Sequence, residues 1–459
     1  MKRNFKYFLM ALGLLLSVSV FAQTTKWRDI YTVKKKDTIF GIANKYGLTL
    51  PELMDANPEM KQEGYMLQKG ATLFIPFEKD AKQNKNAQAA ANVSAQNAVK
   101  QVAAQKQANT VNVGVMLPLH DVDGDGKRMV EYYRGILMAC DELKKKGIST
   151  NIHAWNVPID ADIRTTLVQD GANTCDVIFG PLYTKQVPAL AGFCKTYGIK
   201  MVIPFSISGD DVERNKEIFQ VYQSPEALND AAIKAFFNRF NNVHPVFVDC
   251  NDSTSRKGVF TFGLRKELER RNINYSITNV NSSIDFFAKA FEPSKTNVVI
   301  LNTGRSPQLT AVLNKLDELN VKYPGAVISL FGYTEWLMYA KYNLDRFYRY
   351  DTYIPSTFYY NVNSAKTLQL ERSYQSWFHQ PMQNALPRFA LIGYDQAMFF
   401  IQGINKMGKN NFTGNRQKVG YSALQSPLEF VKTEKGGYKN KSFMLIHYTF
   451  NHKIESIYY

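Results

Sequence analysis

Alternation of buried strands with amphipathic helices over most of the chain is the feature that most restricts its fold. Apolar runs such as VNVGVMLPL, from Val111, and CDVIFGPLY, from Cys175, are typical of strands buried on both faces. Helical patterns such as EYYRGILMACDELKKKG stand between these runs. The alternation predicts an α/β fold with parallel sheets covered by helices. About 350 residues with about ten strands fit two lobes better than one, so we predict a two-lobed domain over residues 111–459.

A segment without aromatic residues or glycine precedes this domain. Residues 78–110 are rich in alanine, glutamine, asparagine and lysine, a composition that cannot bury a core. We predict a flexible linker, and its many alanines also permit transient helix. The linker would span roughly 30 Å as coil or about 50 Å as helix. Either form would let an N-terminal module stay attached to another structure while the lobes move.

The first 22 residues predict where the protein works. A basic start, an apolar core from Tyr7 to Leu16 and the sequence Val20-Phe21-Ala22 predict a secretory signal peptide over residues 1–22, cleaved after Ala22. The apolar core is about half of what spans a bilayer, so no stable membrane anchor is expected. No cysteine near the cleavage site offers a point for lipid attachment. We therefore expect a periplasmic protein, secreted through a cleavable signal peptide.

Residues 29–77 have the pattern of two short helices between two strands. Tyr31 opens a stretch that alternates apolar and polar residues, as a half-buried strand does. Thr38 can cap a first helix, Pro51 suits the first turn of a second, and Leu73 lies in a returning strand. A core this small requires the helices to pack tightly on the strands. The predicted order of elements is therefore βααβ.

The same segment resembles the LysM domain, a small carbohydrate-binding module. The resemblance rests on YTVKKKDTIFGIANKYGLTLPELMDANP, from Tyr31, and on LQKGATLFIP, which ends at Pro76; Lys36 replaces the glycine usual in the first turn. It implies binding of N-acetylglucosamine-containing glycans, chiefly peptidoglycan or chitin. The glycan groove implied lies between two loops, with the residues Asp37, Thr38, Ile39, Phe40, Met66, Leu67 and Gln68. Taken singly, Ile39 and Phe40 fit the hydrophobic core equally well.

Residues 111–459 resemble type I periplasmic binding proteins of the branched-chain amino acid receptor kind. The shared motifs are Leu117-Pro118-Leu119, Tyr133-Arg134-Gly135, Phe179-Gly180-Pro181, the run from Gly198 to Pro204, and Gly393-Tyr394-Asp395. The resemblance implies a small ligand between the lobes, near His120, Leu182, Tyr183, Thr184, Ser206 and Ser208. Two departures argue against an amino acid as the ligand. Thr184 replaces the serine usual in the family, and the first loop is acidic.

That acidic loop, Asp121-Val-Asp123-Gly-Asp125-Gly126, resembles the first half of an EF-hand calcium loop. The closing glutamate is missing, because its position holds Tyr132, and the loop follows a strand rather than a helix. A solvated acidic turn is the favoured interpretation, and calcium the alternative. We predict no metal site and no cofactor.

Catalytic signatures are missing from the sequence. There is no G-x-S-x-G, no H-E-x-x-H and no P-loop, and the six histidines are scattered. We predict a protein that is not an enzyme. The four cysteines are interpreted as mostly buried thiols, with one disulfide possible. The aromatic-rich stretch from Phe331 to Tyr360 is interpreted as core and interface, with a ligand cleft as the alternative.

Charge and export together narrow the partners. The formal net charge is +16, which fits either a polyanionic neighbour or an ordinary solvated basic surface, and the signal peptide excludes nucleic acid. The predicted function is a wall-associated protein that binds peptidoglycan through its LysM module and a small ligand between its lobes. The alternative is a non-catalytic scaffold or regulator of peptidoglycan synthesis enzymes, with a cell-envelope protein as partner. An open cleft with ordered polar side chains would favour the receptor, and a cleft filled by Tyr183 the scaffold.

Overall fold

A computed structural model describes the chain in several ranges: residues 29–35, 37–61, 65, 67–76, 110–205 and 208–459. The side chains of Phe40, Glu59 and Lys61 are not part of this description. The predicted signal peptide lies outside the described residues, as do residues 78–109 of the predicted linker. Lys36, Met66 and Ser206 lie outside them too.

The N-terminal unit, called the module below, has two strands and two short helices. Strands β1 (Asp29–Thr32) and β2 (Thr72–Ile75) are antiparallel, with Thr32 opposite Thr72. Helices α1 (Ile39–Lys45) and α2 (Leu50–Ala56) connect them, with a 3₁₀ turn at Pro58–Lys61. The order of elements is the βααβ predicted from the sequence.

Local hydrogen bonds explain why these helices begin and end where they do. Thr38 Oγ1 accepts from Gly41 N at 3.0 Å at the start of α1, and Thr49 and Glu52 form a capping box on α2. After α2, the fully buried Asn57 donates to Phe74 O at 2.8 Å and accepts from Phe74 N at 2.7 Å. Asn57 therefore ties the end of the second helix to the returning strand.

Sixteen further elements of regular structure belong to the first lobe. The strands are β3 (Thr110–Leu117), β4 (Ser149–Asn156), β5 (Val177–Phe179), β6 (Lys200–Ile203), β7 (Ile218–Gln220), β13 (Phe430–Lys432) and β14 (Tyr438–Asn440). The helices are α3 (Gly124–Lys145), α4 (Arg164–Leu167), α5 (Val187–Tyr197), α6 (Asp211–Arg214), α12 (Ala365–Phe378), α13 (Phe389–Met407) and α14 (Arg416–Val419), with 3₁₀ turns at Ala172–Thr174 and Thr184–Gln186. The strand order is β13-β14-β7-β6-β5-β3-β4, parallel throughout except for the pair β13–β14.

The second lobe contains a parallel sheet and an antiparallel one. Its strands are β8 (Val243–Asp249), β9 (Ser276–Asn279), β10 (Thr296–Leu301), β11 (Ile328–Leu330), β12 (Thr352–Ser356), β15 (Met444–Tyr448) and β16 (Ile454–Tyr458). Its helices are α7 (Pro225–Arg239), α8 (Gly258–Arg270), α9 (Ile284–Ala288), α10 (Ser306–Lys322) and α11 (Ala340–Arg349), with a 3₁₀ turn at Thr334–Met338. The parallel order is β11-β10-β8-β9, and a bridge between Phe331 and Tyr353 joins it to the antiparallel sheet β12-β15-β16.

Three segments carry the chain between the lobes, at residues 221–224, 357–364 and 441–443. Each lobe has its own apolar core, one built around β3 and α13 and the other around β10 and α10. The predicted two-lobed α/β fold is confirmed. The first strand begins at Thr110, one residue before the predicted start of the domain.

The aromatic-rich stretch and the cysteines are largely buried. Phe331, Trp336 and Tyr353 are fully buried in the core of the second lobe, which agrees with the core interpretation. All four cysteines are buried free thiols. The possible disulfide is therefore not formed in this structure.

Two glycines let helices α3 and α13 cross closely in the first lobe. A Cβ on Gly135 would lie 1.9 Å from Ala390 O, and a Cβ on Gly393 would lie 2.0 Å from Tyr132 O. Across the same contact, Tyr132 donates to Gln396 Oε1 at 2.6 Å. Backbone contacts backbone here, so the two glycines of the sequence motifs serve packing.

The module packs against the first lobe through a buried ion pair. Arg134 Nη2 and Nε donate to Asp29 Oδ1 at 2.8 and 3.1 Å, and both side chains are buried. The guanidinium also lies 4.9 Å from the ring centre of Phe378, and Ile30 joins the apolar core around α3. The module and the first lobe thus share a buried contact in this structure, and the flexible linker stays a prediction.

Candidate functional site

The two loops of the predicted glycan groove lie at the same end of the module. Beyond the last paired residues of β1 and β2, Val33 N donates to Ala71 O and Gly70 N donates to Val33 O, each at 2.8 Å. These bonds hold the chain after β1 next to the chain before β2. The arrangement brings residues 37–40 and 67–68 to one edge, as a groove between them requires.

Asp37 organises the first of these loops. Its Oδ2 accepts from Tyr31 Oη and from Lys34 N, each at 2.7 Å. The Lys34 N–H bond lowers the pKa of Asp37, and burial followed by the Asp37 bond raises the pKa of Tyr31 to about 12. Both groups therefore keep their charge states across the physiological range.

The other predicted glycan-binding residues have mixed positions. Thr38 is exposed apart from its capping bond, and Gln68 is exposed. Ile39 and Leu67 are partly buried and pack against the module core, so each can serve both core and groove. The side chains of Phe40 and Met66 are outside the described residues.

An open cleft of about 480 Å³ lies beside the segments that join the lobes; we call it the inter-lobe cleft. Its walls are mainly apolar and include Leu182, Phe205, Phe358, Phe389 and Ile392. Polar lining comes from the charged pair Asp125 and Arg128 and from six uncharged residues: Tyr222, Gln223, Thr357, Gln396, Ser426 and Asn440. Asp125 and Arg128 are about half exposed and form an ion pair at 3.1 Å. The cleft thus offers a mainly apolar surface with some polar groups.

Tyr183 lies beside this cleft instead of filling it. Its hydroxyl donates to Asp125 Oδ2 at 3.3 Å, which ties two of the predicted ligand loops together. Burial, followed by the nearby Asp125 and Asp123, raises the pKa of Tyr183 to about 12. The cleft therefore remains open, but its walls are mainly apolar, so it meets only the first of the two conditions stated for a receptor.

The remaining predicted cleft residues are divided between two places. Leu182 lines the inter-lobe cleft, and Thr184 Oγ1 accepts from Ser208 N at 3.3 Å nearby. His120 instead lines a second cleft, on the side of helix α3 that faces the module. Ser206 lies outside the described residues. Residues 182–184 and 208 therefore lie together, whereas His120 lines the other cleft.

The acidic loop serves as the start of helix α3. Asp123 Oδ1 accepts from Gly126 N at 2.8 Å as the N-cap, and Asp125 bonds to Arg128 and Tyr183. These oxygens do not converge on one point. Among the described residues, no group of three or more His, Cys, Asp or Glu side chains is placed to hold a metal ion.

Asp395 is a buried residue whose role the sequence analysis missed. It accepts from Tyr421 Oη at 2.6 Å and from the backbone N–H groups of Leu424, Gln425 and Ser426 at 2.8 to 2.9 Å. Burial outweighs these bonds and raises the pKa of Asp395 to about 6. The bonded segment continues into Pro427 and Leu428, which line the inter-lobe cleft. The motif Gly393-Tyr394-Asp395 marks this residue in the sequence, but it does not show that the side chain bonds to the segment from Tyr421 to Ser426.

The second cleft, between the module and the first lobe, has a volume of about 630 Å³. We call it the module–lobe cleft. Module residues Tyr31, Lys34 and Lys45 line one side. Lys127 and Trp377 are among the lining residues of the lobe. Sequence reasoning missed this cleft, because its walls come from parts of the chain on either side of the predicted linker.

Comparison with solved structures identifies the class of fold. The two-lobed unit has the fold of type I periplasmic binding proteins: it is similar to a branched-chain amino acid ABC transporter protein from Rhodospirillum rubrum, with 14% identity, a TM-score of 0.50, and coverage of 76% of this chain and 100% of that one. LpoA from Haemophilus influenzae is a further similar structure, with 14% identity, a TM-score of 0.47, and coverage of 76% of this chain and 59% of that one.

Comparison with family models identifies the module. Residues 31–76 match the LysM domain. Both resemblances noted in the sequence are thus confirmed, for the module and for the two-lobed fold. No curated protein sequence matches the chain significantly. Within the described residues, no helix is both long and apolar enough to cross a bilayer.

Proposed function

We propose that this protein is a non-catalytic, peptidoglycan-associated binding protein of the periplasm. Its LysM module binds N-acetylglucosamine-containing glycan, and its inter-lobe cleft binds a small ligand. The LysM match and the binding-protein fold support this proposal. The single observation that carries the ligand part is the open, apolar inter-lobe cleft, which has a volume in the usual range for small-molecule sites.

The chemistry of the inter-lobe cleft favours an uncharged ligand with an apolar part. Phe205, Phe358 and Phe389 offer ring surface. Asp125 and Arg128, the charged residues of the lining, form an ion pair with each other, and both side chains are about half exposed. A zwitterionic amino acid would need charged partners that the described cleft residues do not provide. The ligand is therefore better sought among neutral wall-derived compounds than among free amino acids.

The test is thermal unfolding of the full chain against uncharged sugars, amino acids and muropeptides. A ligand at a hundred times its dissociation constant adds roughly 2.7 kcal/mol to the free energy of unfolding. We expect a saturable rise in melting temperature with one ligand class. The ligand-induced rise in melting temperature should disappear in the variant Phe389→Ala. It should remain in Phe262→Ala, at an exposed position of the second lobe. A folded protein that responds to no compound would contradict the receptor function.

The module is tested separately with N-acetylglucosamine oligomers. Gln68→Ala changes an exposed side chain of the predicted groove and should weaken glycan binding about threefold to tenfold, without a change in stability. Gln375→Ala, at an exposed position of helix α12, is the matched control. Absence of glycan binding by the unsubstituted chain would contradict the wall-binding part of the proposal.

One observation supports the scaffold as a second candidate function. Polar side chains at the carboxyl ends of the second lobe's strands bond to each other: Asn302 donates to Asp249 at 2.8 Å, and Thr303 donates to Asp252 at 2.8 Å. This lobe therefore offers few unbonded groups to a small ligand. The scaffold is tested by adding the chain to purified peptidoglycan synthases and measuring polymerisation. A changed rate together with an unresponsive inter-lobe cleft would favour it.

A further inference from the structure

Some charged groups that line the module–lobe cleft already bond to other groups of the protein, whereas others have fewer such bonds. Asp29 is paired with Arg134, and the Glu131 oxygens accept from Gln383 N at 2.7 Å and Ala390 N at 3.3 Å. These two buried carboxylates are therefore occupied by protein donors. Asp121 is the remaining acid of the lining, and it lies 3.9 Å from Lys127 at the exposed rim.

Two lysines of the module present their charge to this cleft. Among the residues that the structure describes, neither Lys34 nor Lys45 has a carboxylate within 4.0 Å of its ammonium group, although both charges help to lower the pKa of the nearby Asp37. Both side chains are exposed, and the Lys45 ammonium lies 4.3 Å from the ring centre of Tyr31. An anion entering the cleft would meet two ammonium groups from the module and Lys127 from the lobe. Such contacts are charge-assisted hydrogen bonds.

The cleft also adjoins the predicted glycan groove. Tyr31 lines the cleft, and its hydroxyl bonds at 2.7 Å to Asp37, which is the first residue of the groove. Lys34 spans the same boundary, since its side chain lines the cleft and its N–H bonds to Asp37. A substituent on a sugar bound in the groove therefore has a short path to the lysines. Trp377 and Tyr46 supply aromatic surface along that path.

We propose that the module–lobe cleft binds the carboxylate-bearing peptide stem of a glycan strand held by the module. The inference rests on the proposed glycan binding and extends it. Peptidoglycan differs from a bare N-acetylglucosamine polymer in its peptide stems, whose free carboxylates suit the ammonium groups of the cleft. A docked module thus distinguishes peptide-bearing wall glycan from bare glycan, because half of the cleft belongs to the lobe.

The experiment compares two glycans of the same chain length, a peptidoglycan fragment with peptide stems and an N-acetylglucosamine oligomer that carries no carboxylate. Binding to the full chain is measured by calorimetry at low and at high salt. We expect the peptide-bearing glycan to bind about tenfold more tightly at low salt, and this preference to shrink at high salt because exposed charges are screened. The double variant Lys34→Gln/Lys45→Gln should lose the preference and keep its affinity for the N-acetylglucosamine oligomer.

Matched controls separate the cleft from general charge. Lys35→Gln changes an exposed neighbour that does not line the cleft, and it should keep the preference. On the lobe, Lys127→Gln should reduce the preference, whereas Lys185→Gln, at an exposed position away from the cleft, should not. A melting curve for each variant confirms that it folds.

The possible outcomes distinguish the inference from the proposed function. Equal binding of both glycans by the unsubstituted chain would overturn the cleft inference and leave glycan binding by the module intact. Binding of the peptide-bearing glycan alone would support the cleft and contradict sugar binding by the groove. If the chain bound neither glycan, both the cleft inference and the proposed glycan binding would be overturned. A preference that survives the double lysine variant would also overturn the assignment to this cleft.

Discussion

The two clefts of this molecule use the same helix in different ways. Helix α3 presents Arg128 and Met129 to the inter-lobe cleft, which is otherwise mainly apolar. It presents Lys127 and Arg134 to the module–lobe cleft, whose walls carry several charges. An apolar cleft selects by shape and area, whereas a charged one selects by sign and depends on salt. Under the two proposals made above, a single helix would serve two ligand chemistries, one on each side.

Substitution at the helix crossing should damage both clefts, and it has the largest expected effect. Gly393→Ala places a methyl group about where Tyr132 O now lies, 2.0 Å from the ideal Cβ. Backbone must move to relieve this contact, so we expect a loss of about 3 kcal/mol or more in the free energy of unfolding. Urea denaturation measures it. Gly192→Ala is the control, since a Cβ there meets no atom within 4 Å. If Gly393→Ala lowered the free energy of unfolding no more than Gly192→Ala, the packing role of Gly393 would be contradicted.

Substitution of Asp395 should damage the inter-lobe cleft alone. In Asp395→Asn the amide nitrogen faces backbone donors and cannot accept from them, so we expect a loss of about 2 kcal/mol at pH 7. Ligand binding between the lobes should weaken, while glycan binding should not change. Asp170→Asn, at an exposed position, is the control for the change in charge. Unfolding in urea and ligand titration measure the two effects.

The pH dependence of that loss has a defined sign. The pKa of Asp395 is raised to about 6, against about 3.9 in an unfolded chain. Between these values the folded state holds a proton that the unfolded state has lost, so this group makes the protein less stable as pH rises from about 4 to 6. The asparagine variant lacks this change. The difference in the free energy of unfolding between the unsubstituted chain and Asp395→Asn should therefore increase as pH falls, by up to about 3 kcal/mol. A difference that decreases would contradict the raised pKa.

Loss of the buried ion pair should open the module–lobe cleft alone. Arg134→Ala leaves Asp29 buried without its partner, and the module can relieve this by leaving the lobe. Because the Asp29 carboxylate then returns to water, we expect a loss of only about 1–2 kcal/mol. Proteolysis of the released module and a larger radius in solution scattering measure the effect. Arg164→Ala, at an exposed position, should change neither; an unchanged radius for Arg134→Ala would contradict docking through this pair.

The smallest expected effect concerns the link between groove and cleft. Tyr31→Phe removes the hydroxyl that bonds to Asp37 and keeps the ring against Lys45. We expect a loss of about 0.5–1 kcal/mol in module stability and a reduced preference for peptide-bearing glycan. Tyr342→Phe, at an exposed site of the second lobe, is the control. An unchanged preference would show that the two sites act independently.

Much of the fold follows from local patterns in the sequence. The alternating runs predicted the lobes, and the pattern of residues 29–77 predicted the βααβ order of the module, which the structure contains. Such patterns report which face of an element is buried. They do not report which distant element covers it, so the motif containing Gly135 was recognised without its partner Ala390.

The site was less predictable for the same reason. Asp29 and Arg134 lie 105 residues apart along the chain, and no periodicity links them. His120 follows a strand end, where the family resemblance placed ligand contacts, but its ring packs beside Gly126 at the start of α3 and lines the module side. The direction in which a side chain points at the end of a strand depends on how the next helix packs. A sequence motif does not contain that information.

The late position of key strands has a consequence for biosynthesis. Strands β13 and β14 complete the edge of the first lobe's sheet, β15 and β16 complete the second lobe, and helix α13 fills the first core. Neither lobe can finish folding while the ribosome is still making the last third of the protein. The nascent chain must keep the apolar face around Phe219 uncovered until Phe400 and Phe430 emerge. We expect a strong dependence on holding chaperones during synthesis, since exposed apolar surface promotes aggregation.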